Sequence, residues 1–144
     1  MQKIFTLNDY LALDPSQLAN TIFYCPECGK KHKIPIKIAC SGENLIFKLP
    51  VIVETVLEKV PPKIGIIYDR HIEGKLEEIF FPSFNKLGFS FVRCPLGDHG
   101  VLLDSSVDIG DKAVAELPKG INLLIGVGSG VVCDLTKWIA TKRK

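Results

Sequence analysis

Three glycines near the end of the sequence have the spacing of a phosphate-binding turn. Gly126, Gly128 and Gly130 follow the apolar run 121–125 and precede an amphipathic segment. Because glycine lacks a Cβ atom, an anion can approach the backbone there, where unpaired amides and the positive end of a helix dipole point at it. The pattern predicts a buried strand, a turn and a helix start that suit a nucleotide phosphate. The motif is shorter than Gly-x-Gly-x-x-Gly, and close packing of helix on strand is the alternative.

A second candidate for this turn is Asp134, which the pattern places in the first turn of the helix. A carboxylate there complements the helix dipole, which is worth about 0.3–1 kcal/mol. The alternative is that Asp134 faces a ligand lying over the glycine turn.

The segment Cys25-Pro-Glu-Cys28-Gly-Lys-Lys-His32 has the spacing of a zinc knuckle. Two thiolates separated by two residues can bind one tetrahedral ion, and the glycine permits the turn. His32 and Cys40 are candidates for the remaining ligands, giving the set Cys25, Cys28, His32 and Cys40. A reduced, hydrogen-bonded turn is the alternative, because no second Cys-x-x-Cys is present and Cys40 shares the alternation of an apolar strand.

Asp69 follows the predicted buried strand 63–68. An acid at the carboxyl end of a parallel strand can accept hydrogen bonds from an adenosine ribose and repels a 2′-phosphate. The alternative role is a helix N-cap. His71 is interpreted as a surface residue, and Asp98 with His99 as part of a turn.

Strand and helix patterns alternate three times from Lys63 onward, which predicts a Rossmann-like α/β fold with a parallel sheet and flanking helices. The predicted core is 63–144, and the cysteines lie in an N-terminal β-hairpin over 21–40. The expected strands after 63–68 are 89–94 and 121–125, and the helices are 45–59, 74–87 (bent near Pro82) and 109–117. A short helical segment is expected over 7–20.

The composition is that of a globular protein. The 144 residues are 47% hydrophobic and 24% charged, with a formal charge of +2. This charge is too small to favour nucleic acid as a partner, and no apolar run reaches the length of a membrane span. Without a secretory signal or a span, a cytoplasmic location is expected. The five cysteines, an odd number, then favour reduced thiols or a metal over a disulfide framework.

Two segments resemble a known enzyme superfamily. The segment beginning at Gly126 is similar to the Gly-x-Gly-x-Gly-x-x-x-Asp-x-x-Lys segment of glycerol dehydrogenases, iron-containing alcohol dehydrogenases and dehydroquinate synthases. With Ser129 and with Leu-Thr-Lys-Trp-Ile-Ala after Asp134, it most resembles sn-glycerol-1-phosphate dehydrogenases. The cysteine segment is similar to the Cys-x-Cys-Gly-x-x-His turn of bacterial members, with one residue more between the cysteines. Asp69 with Glu73-Gly74 resembles their adenosine-binding turn.

The resemblance implies the NAD-binding domain of an oxidoreductase that reversibly reduces dihydroxyacetone phosphate to sn-glycerol 1-phosphate. It implies NAD(P) as cofactor, with NAD preferred through Asp69, and a dinucleotide as partner; a homodimer is compatible with it. The implied cofactor-binding residues are Asp69, Gly126, Gly128, Ser129, Gly130, Val131, Val132 and Asp134. In these enzymes a later helical domain holds the catalytic zinc, nickel or iron, so this chain is expected to be a fragment without catalytic residues.

Three other functions stay open. A dehydroquinate synthase-like protein has a close glycine pattern, although Cys133, Lys137 and the cysteine hairpin do not favour it. A polyol dehydrogenase fragment is the second. The third is a non-catalytic module that binds zinc or a nucleotide and recruits a partner.

Overall fold

The protein was examined as a computed structural model, which describes residues 22–25, 27–33, 36–39, 42–57 and 62–143. The chain divides into two compact units, Met1–Leu45 and Ile46–Lys144. The predicted helical segment over 7–20 and Cys40 lie outside the described residues. None of the described helices combines the length and the apolar character needed to cross a membrane.

The described part of the first unit contains the predicted hairpin. Strand β1 (Ile22–Tyr24) pairs antiparallel with strand β2 (Lys31–Lys33). The hairpin predicted over 21–40 is too long, because Ile36 and Ile38 lie outside any strand and are 44% and 40% exposed. The alternation of apolar residues there is therefore not matched by burial.

The second unit has the predicted Rossmann-like α/β fold. After a 3-10 turn (Leu45–Lys48) and helix α1 (Leu49–Leu57), the chain forms strand β3 (Ile64–Asp69), a helical segment, and strand β4 (Phe91–Leu96). Helix α4 (Val107–Glu116), strand β5 (Leu123–Val127) and helix α5 (Gly130–Lys142) follow. All pairing is parallel, with β3 between β4 and β5.

Alternating side chains of β3 divide the core between the two faces of the sheet. Ile64, Ile66 and Tyr68 are buried on one face with aromatic residues of the helical segment, including Phe81 and Phe84. On the other face Ile67 packs with residues of β4, α4 and α5. Each face buries its own apolar cluster, and the central strand is buried from Ile64 to Tyr68, as expected for a parallel sheet covered on both sides.

The helical segment between β3 and β4 is irregular. It consists of a 3-10 turn (Arg70–Ile72), helix α2 (Glu73–Lys75), a π turn (Leu76–Phe80) and helix α3 (Phe81–Lys86). The wide π turn directly precedes α3, whose second residue is Pro82. Proline has no amide hydrogen to donate and would crowd the carbonyl four residues earlier in a regular helix. The predicted interruption near Pro82 is confirmed.

The predicted boundaries of β4 and β5 were too early. Strand β4 continues through Pro95, which pairs in register with Tyr68. Proline lacks an amide hydrogen, and an edge strand tolerates it where that hydrogen would point away from the neighbouring strand. Strand β5 continues through Gly126, and most of its residues are only half buried. Because β5 lies at the edge of the described sheet and is only partly buried, the expectation of a buried strand over 121–125 was wrong.

Helices α4 and α5 pack closely through a glycine. A Cβ atom added to Gly110 would lie 2.5 Å from Cδ1 of Trp138, so the indole ring occupies the space that a side chain would need. The same ring donates a hydrogen bond from Nε1 to Oδ1 of Asp111, 3.0 Å away. Ser106 is the N-cap residue of α4 and makes no side-chain capping bond, while its own amide donates to Oδ1 of Asp104 at 2.9 Å.

Two helical glycines provide a matched test of this packing. Gly110→Ala should lower the free energy of unfolding by about 1–3 kcal/mol, because the indole must move. Gly74→Ala in α2 has nothing within 4 Å of the new methyl group and should raise it by about 0.4–1 kcal/mol. Urea unfolding of both variants checks the pair, and equal changes would contradict close packing at Gly110.

Candidate dinucleotide site

The candidate cofactor-binding residues meet at one edge of the sheet. In the parallel register Tyr68 of β3 pairs with Val127 of β5, so Asp69 and Gly128 are the next positions on neighbouring strands. The chain leaves β3 toward the face covered by the helical segment and leaves β5 toward the face covered by α5. Adjacent parallel strands whose connections leave toward opposite faces form the crevice in which such sheets bind ligands.

The three glycines of the turn have three different structural roles. Gly126 allows α5 to approach β5, since a Cβ atom there would lie 2.6 Å from Oγ1 of Thr136. Gly128 has a φ of +151°, which other residues rarely adopt, and its Cβ atom would lie 2.8 Å from Cγ2 of Val132. At Gly126 the packing alternative therefore accounts for the glycine.

Gly130 is the glycine whose absent side chain leaves open space. No atom lies within 4 Å of a Cβ atom built there, and residues 128–130 are exposed. The N-cap residue Ser129 makes no side-chain capping bond, and the first helical bond of α5 runs from the Cys133 amide to the Ser129 carbonyl, at 3.1 Å. The amides before Cys133 thus precede the helical ladder and are suited to an anion.

Asp69 acts as the N-cap of the turn that follows β3. Its Oδ1 accepts hydrogen bonds from the backbone amide and from Nδ1 of His71, both at 2.9 Å. Partial burial raises the pKa of the Asp69 carboxyl, but the hydrogen bonds and charge of His71 outweigh it, and the pKa falls below its ordinary value of 3.8. Both contacts use Oδ1, and Oδ2 has no hydrogen-bond partner among the residues that the structure describes.

The structure corrects one prediction about α5 and shows where two other candidate residues of this helix lie. Asp134 is not in the first turn of the helix, which holds no acidic residue; it lies one turn further and pairs with Nζ of Lys137 at 2.9 Å. Both side chains are largely exposed, and the hydrogen bond that Lys137 donates to Asp134 raises the pKa of Lys137. The Val132 side chain is fully buried in the core and Val131 packs against that core, so their contribution to a ligand site is limited to their backbone amides.

Arg70 is a residue of this edge to which the sequence assigned no role. Its Nε donates a 3.0 Å hydrogen bond to the carbonyl of Gly97, which directly follows β4. The guanidinium therefore links the ends of β3 and β4. Its position after Asp69, at the carboxyl end of a strand, was the available signal, but its partner is 27 residues away in sequence.

A cleft of about 330 Å³ lies beside this edge, over the end of β4 and the start of α4. Its lining includes Arg70 and Lys112 as well as Asp98, Asp104 and Asp108. Asp69 and the glycine turn do not line it, so the turn is an open surface and not the floor of this cleft. Residues 99 and 100 form the predicted turn after Asp98.

In the hairpin, three of the four predicted metal ligands lie together. The ligand atoms of Cys25, Cys28 and His32 are all within 4.8 Å of one another. Hydrogen bonds from the backbone amides of Cys28 and Glu27, together with the Cys28 side chain, lower the pKa of the Cys25 thiol. The fourth predicted ligand, Cys40, is not among the described residues.

Comparison with known proteins supports the fold. No protein-family model matches this sequence, and no curated protein matches it. The structure is similar to a solved structure of glycerol dehydrogenase from Schizosaccharomyces pombe, with a TM-score of 0.55 and 18% sequence identity. The likeness covers 69% of this chain and 23% of that one. It shows the fold. The chain spans about a quarter of the length of this neighbour.

The carboxylate of Asp69 should make folding pH-dependent. Because its folded-state pKa is lowered, the stability it contributes is present above about pH 3.8 and is lost as the pH falls through the folded-state value. Asp69→Asn keeps an N-cap acceptor but does not titrate. Urea unfolding between pH 2 and pH 6 should therefore show a difference between wild type and variant that shrinks toward acid; a constant difference would contradict the assignment.

Proposed function

We propose that this chain is the dinucleotide-binding part of an oxidoreductase similar to the polyol dehydrogenases. The observation that carries the proposal is the placement of Asp69 and the exposed turn at Gly128 on neighbouring parallel strands. An acid for a ribose and amides for a diphosphate are the two groups by which such sheets hold NAD. When bound, the cofactor supplies the hydride.

The residues fit a dinucleotide in three respects. The amides that begin α5 precede the helical ladder, and Gly130 leaves space beside them. Oδ1 of Asp69 accepts both hydrogen bonds from His71, which leaves Oδ2 to accept a hydrogen bond from a ribose hydroxyl. The phosphate contacts are assigned to the backbone of Ser129, Gly130, Val131 and Val132, while Gly126 and Gly128 shape the turn.

The finer activity proposed is reversible reduction of dihydroxyacetone phosphate to sn-glycerol 1-phosphate with NAD(H). It rests on the similarity of the segment 126–140 and of the cysteine hairpin to glycerol-1-phosphate dehydrogenases. A polyol without the phosphate is the alternative substrate, since the structural neighbour is a glycerol dehydrogenase. With the polypeptide of the complete gene, NADH oxidation by dihydroxyacetone phosphate and by dihydroxyacetone would distinguish the two.

The first test uses Gly130. Titration of wild-type protein with NADH should change the cofactor fluorescence, and Gly130→Ala should weaken binding by about tenfold or more, because the methyl group occupies the approach of the phosphate. The substitution meets no atom of the protein, so thermal stability should be unchanged or slightly higher. Gly128→Asp is less informative, since its backbone conformation and Val132 alone would destabilise the turn.

Cys133→Ala is the matched control for this test. Cys133 is exposed on the same helix, and its truncation should leave NADH affinity unchanged. If wild type does not bind NADH, or if Gly130→Ala binds it as tightly as wild type, the glycine turn is not a dinucleotide site.

The second test uses Asp69. Asp69→Ser retains an N-cap side chain but removes the charge that repels a 2′-phosphate. The ratio of NADH to NADPH affinity should fall by about tenfold or more, because NADH loses an acceptor for its ribose and NADPH loses a repulsion. Fluorescence titration with both cofactors measures the ratio, and an unchanged ratio would assign Asp69 to capping alone.

A further inference from the structure

The hairpin carries a cluster that the proposed dinucleotide site does not use. The atoms that could bind a metal are Sγ of Cys25, Sγ of Cys28 and a ring nitrogen of His32, all within 4.8 Å of one another. Cys28 Sγ and His32 Nε2 are 3.0 Å apart. We infer that Cys25, Cys28 and His32 bind one zinc ion that holds the hairpin together.

The spacing of the three atoms fits tetrahedral zinc. Bond lengths of about 2.3 Å to sulfur and about 2.0–2.1 Å to nitrogen place neighbouring ligand atoms about 3.5–3.8 Å apart. In the structure one pair of ligand atoms is 3.0 Å apart and all three atoms lie within 4.8 Å of one another. Changes of about an ångström in side-chain position therefore bring all three atoms to one ion. Two thiolates with one imidazole are soft and borderline ligands, which favour zinc over magnesium or calcium.

The backbone already has the conformation that such a site needs. The amide of Gly29 donates to the carbonyl of Cys25 and the amide of Cys25 donates to the carbonyl of Lys30, both at 2.9 Å. Gly29 has a φ of +64°, which glycine adopts without strain. The turn therefore places the two cysteines on the same side of the loop before any ion binds.

His32 connects this turn to the strands. It lies in β2, opposite Phe23 of β1, and so its backbone position is fixed by the strand pairing. An ion bound to His32 and to both cysteines would cross-link β2 to the turn that precedes it. Three protein ligands leave one coordination position for water or another group.

Among the residues that the structure describes, the hairpin buries little that would stabilise it. Each strand has three residues, all of β2 is exposed, and Ile22 and Tyr24 of β1 are 48% and 47% exposed. A two-stranded hairpin of this size is at best marginally stable in water. Small units of this kind are commonly stabilised by a structural metal, whose binding free energy contributes to folding.

Metal analysis of the purified chain tests the inference. Protein prepared without chelator should contain about one zinc per chain, and Cys28→Ser should lose it. Cys133→Ser removes an exposed thiol from α5 and should keep the zinc. Replacement by Co²⁺ should give a thiolate-to-cobalt charge-transfer absorption in wild type and Cys133→Ser but not in Cys28→Ser.

Hydrogen exchange tests the structural role. Removal of zinc with a chelator should accelerate exchange of the Cys25 and Gly29 amides, while the amides of β3 should be unaffected. Wild-type protein without stoichiometric zinc, or Cys28→Ser with the same zinc content and cobalt spectrum, would overturn the site. If the exchange rates of the Cys25 and Gly29 amides are the same with and without chelator, the proposed role of zinc in folding is overturned.

Discussion

The parallel pairing of β3 with both β4 and β5 is the interaction on which the rest of the second unit depends. It aligns Asp69, Leu96 and Val127 at one edge, so whatever follows each strand meets there. Apolar packing on both faces of β3 stabilises the pairing: an aromatic cluster packs on one face, and α4 and α5 pack on the other. Burial of this apolar surface is the main favourable contribution to the free energy of folding. The position of the proposed ligand-binding edge is thus a consequence of how the core is covered.

Close approach of helices to the sheet sets the details of that edge. Gly126 and Gly110 allow α5 to lie against β5 and α4, because a side chain at either position would meet Thr136 or Trp138 of α5. Tyr68 contributes from the other side. Its fully buried hydroxyl donates a 2.6 Å hydrogen bond to Oε1 of Glu73, which ties the helical segment to β3; burial and Glu73 together raise the pKa of this tyrosine.

The described residues of the two units differ in how much they bury. The α/β unit buries a core of large apolar side chains, whereas the described hairpin exposes most of its residues and instead brings three metal-ligating side chains together. The thiols and the imidazole of the hairpin suit the proposed zinc ion. The sheet edge at Asp69 and Gly128 instead presents an acid, a basic side chain and backbone amides, which suit the proposed nucleotide.

The sequence by itself determined the order of strands and helices, the break at Pro82 and the turn at Gly128, because apolar periodicity, proline and glycine act locally. It also predicted the cysteine cluster, since a spacing of two residues restricts where the thiols can lie. Only the tertiary structure decided that Gly126 serves packing and that Gly130 leaves open space. Those outcomes depend on which helix lies over which strand, and partners such as Arg70 and Gly97 are distant in sequence.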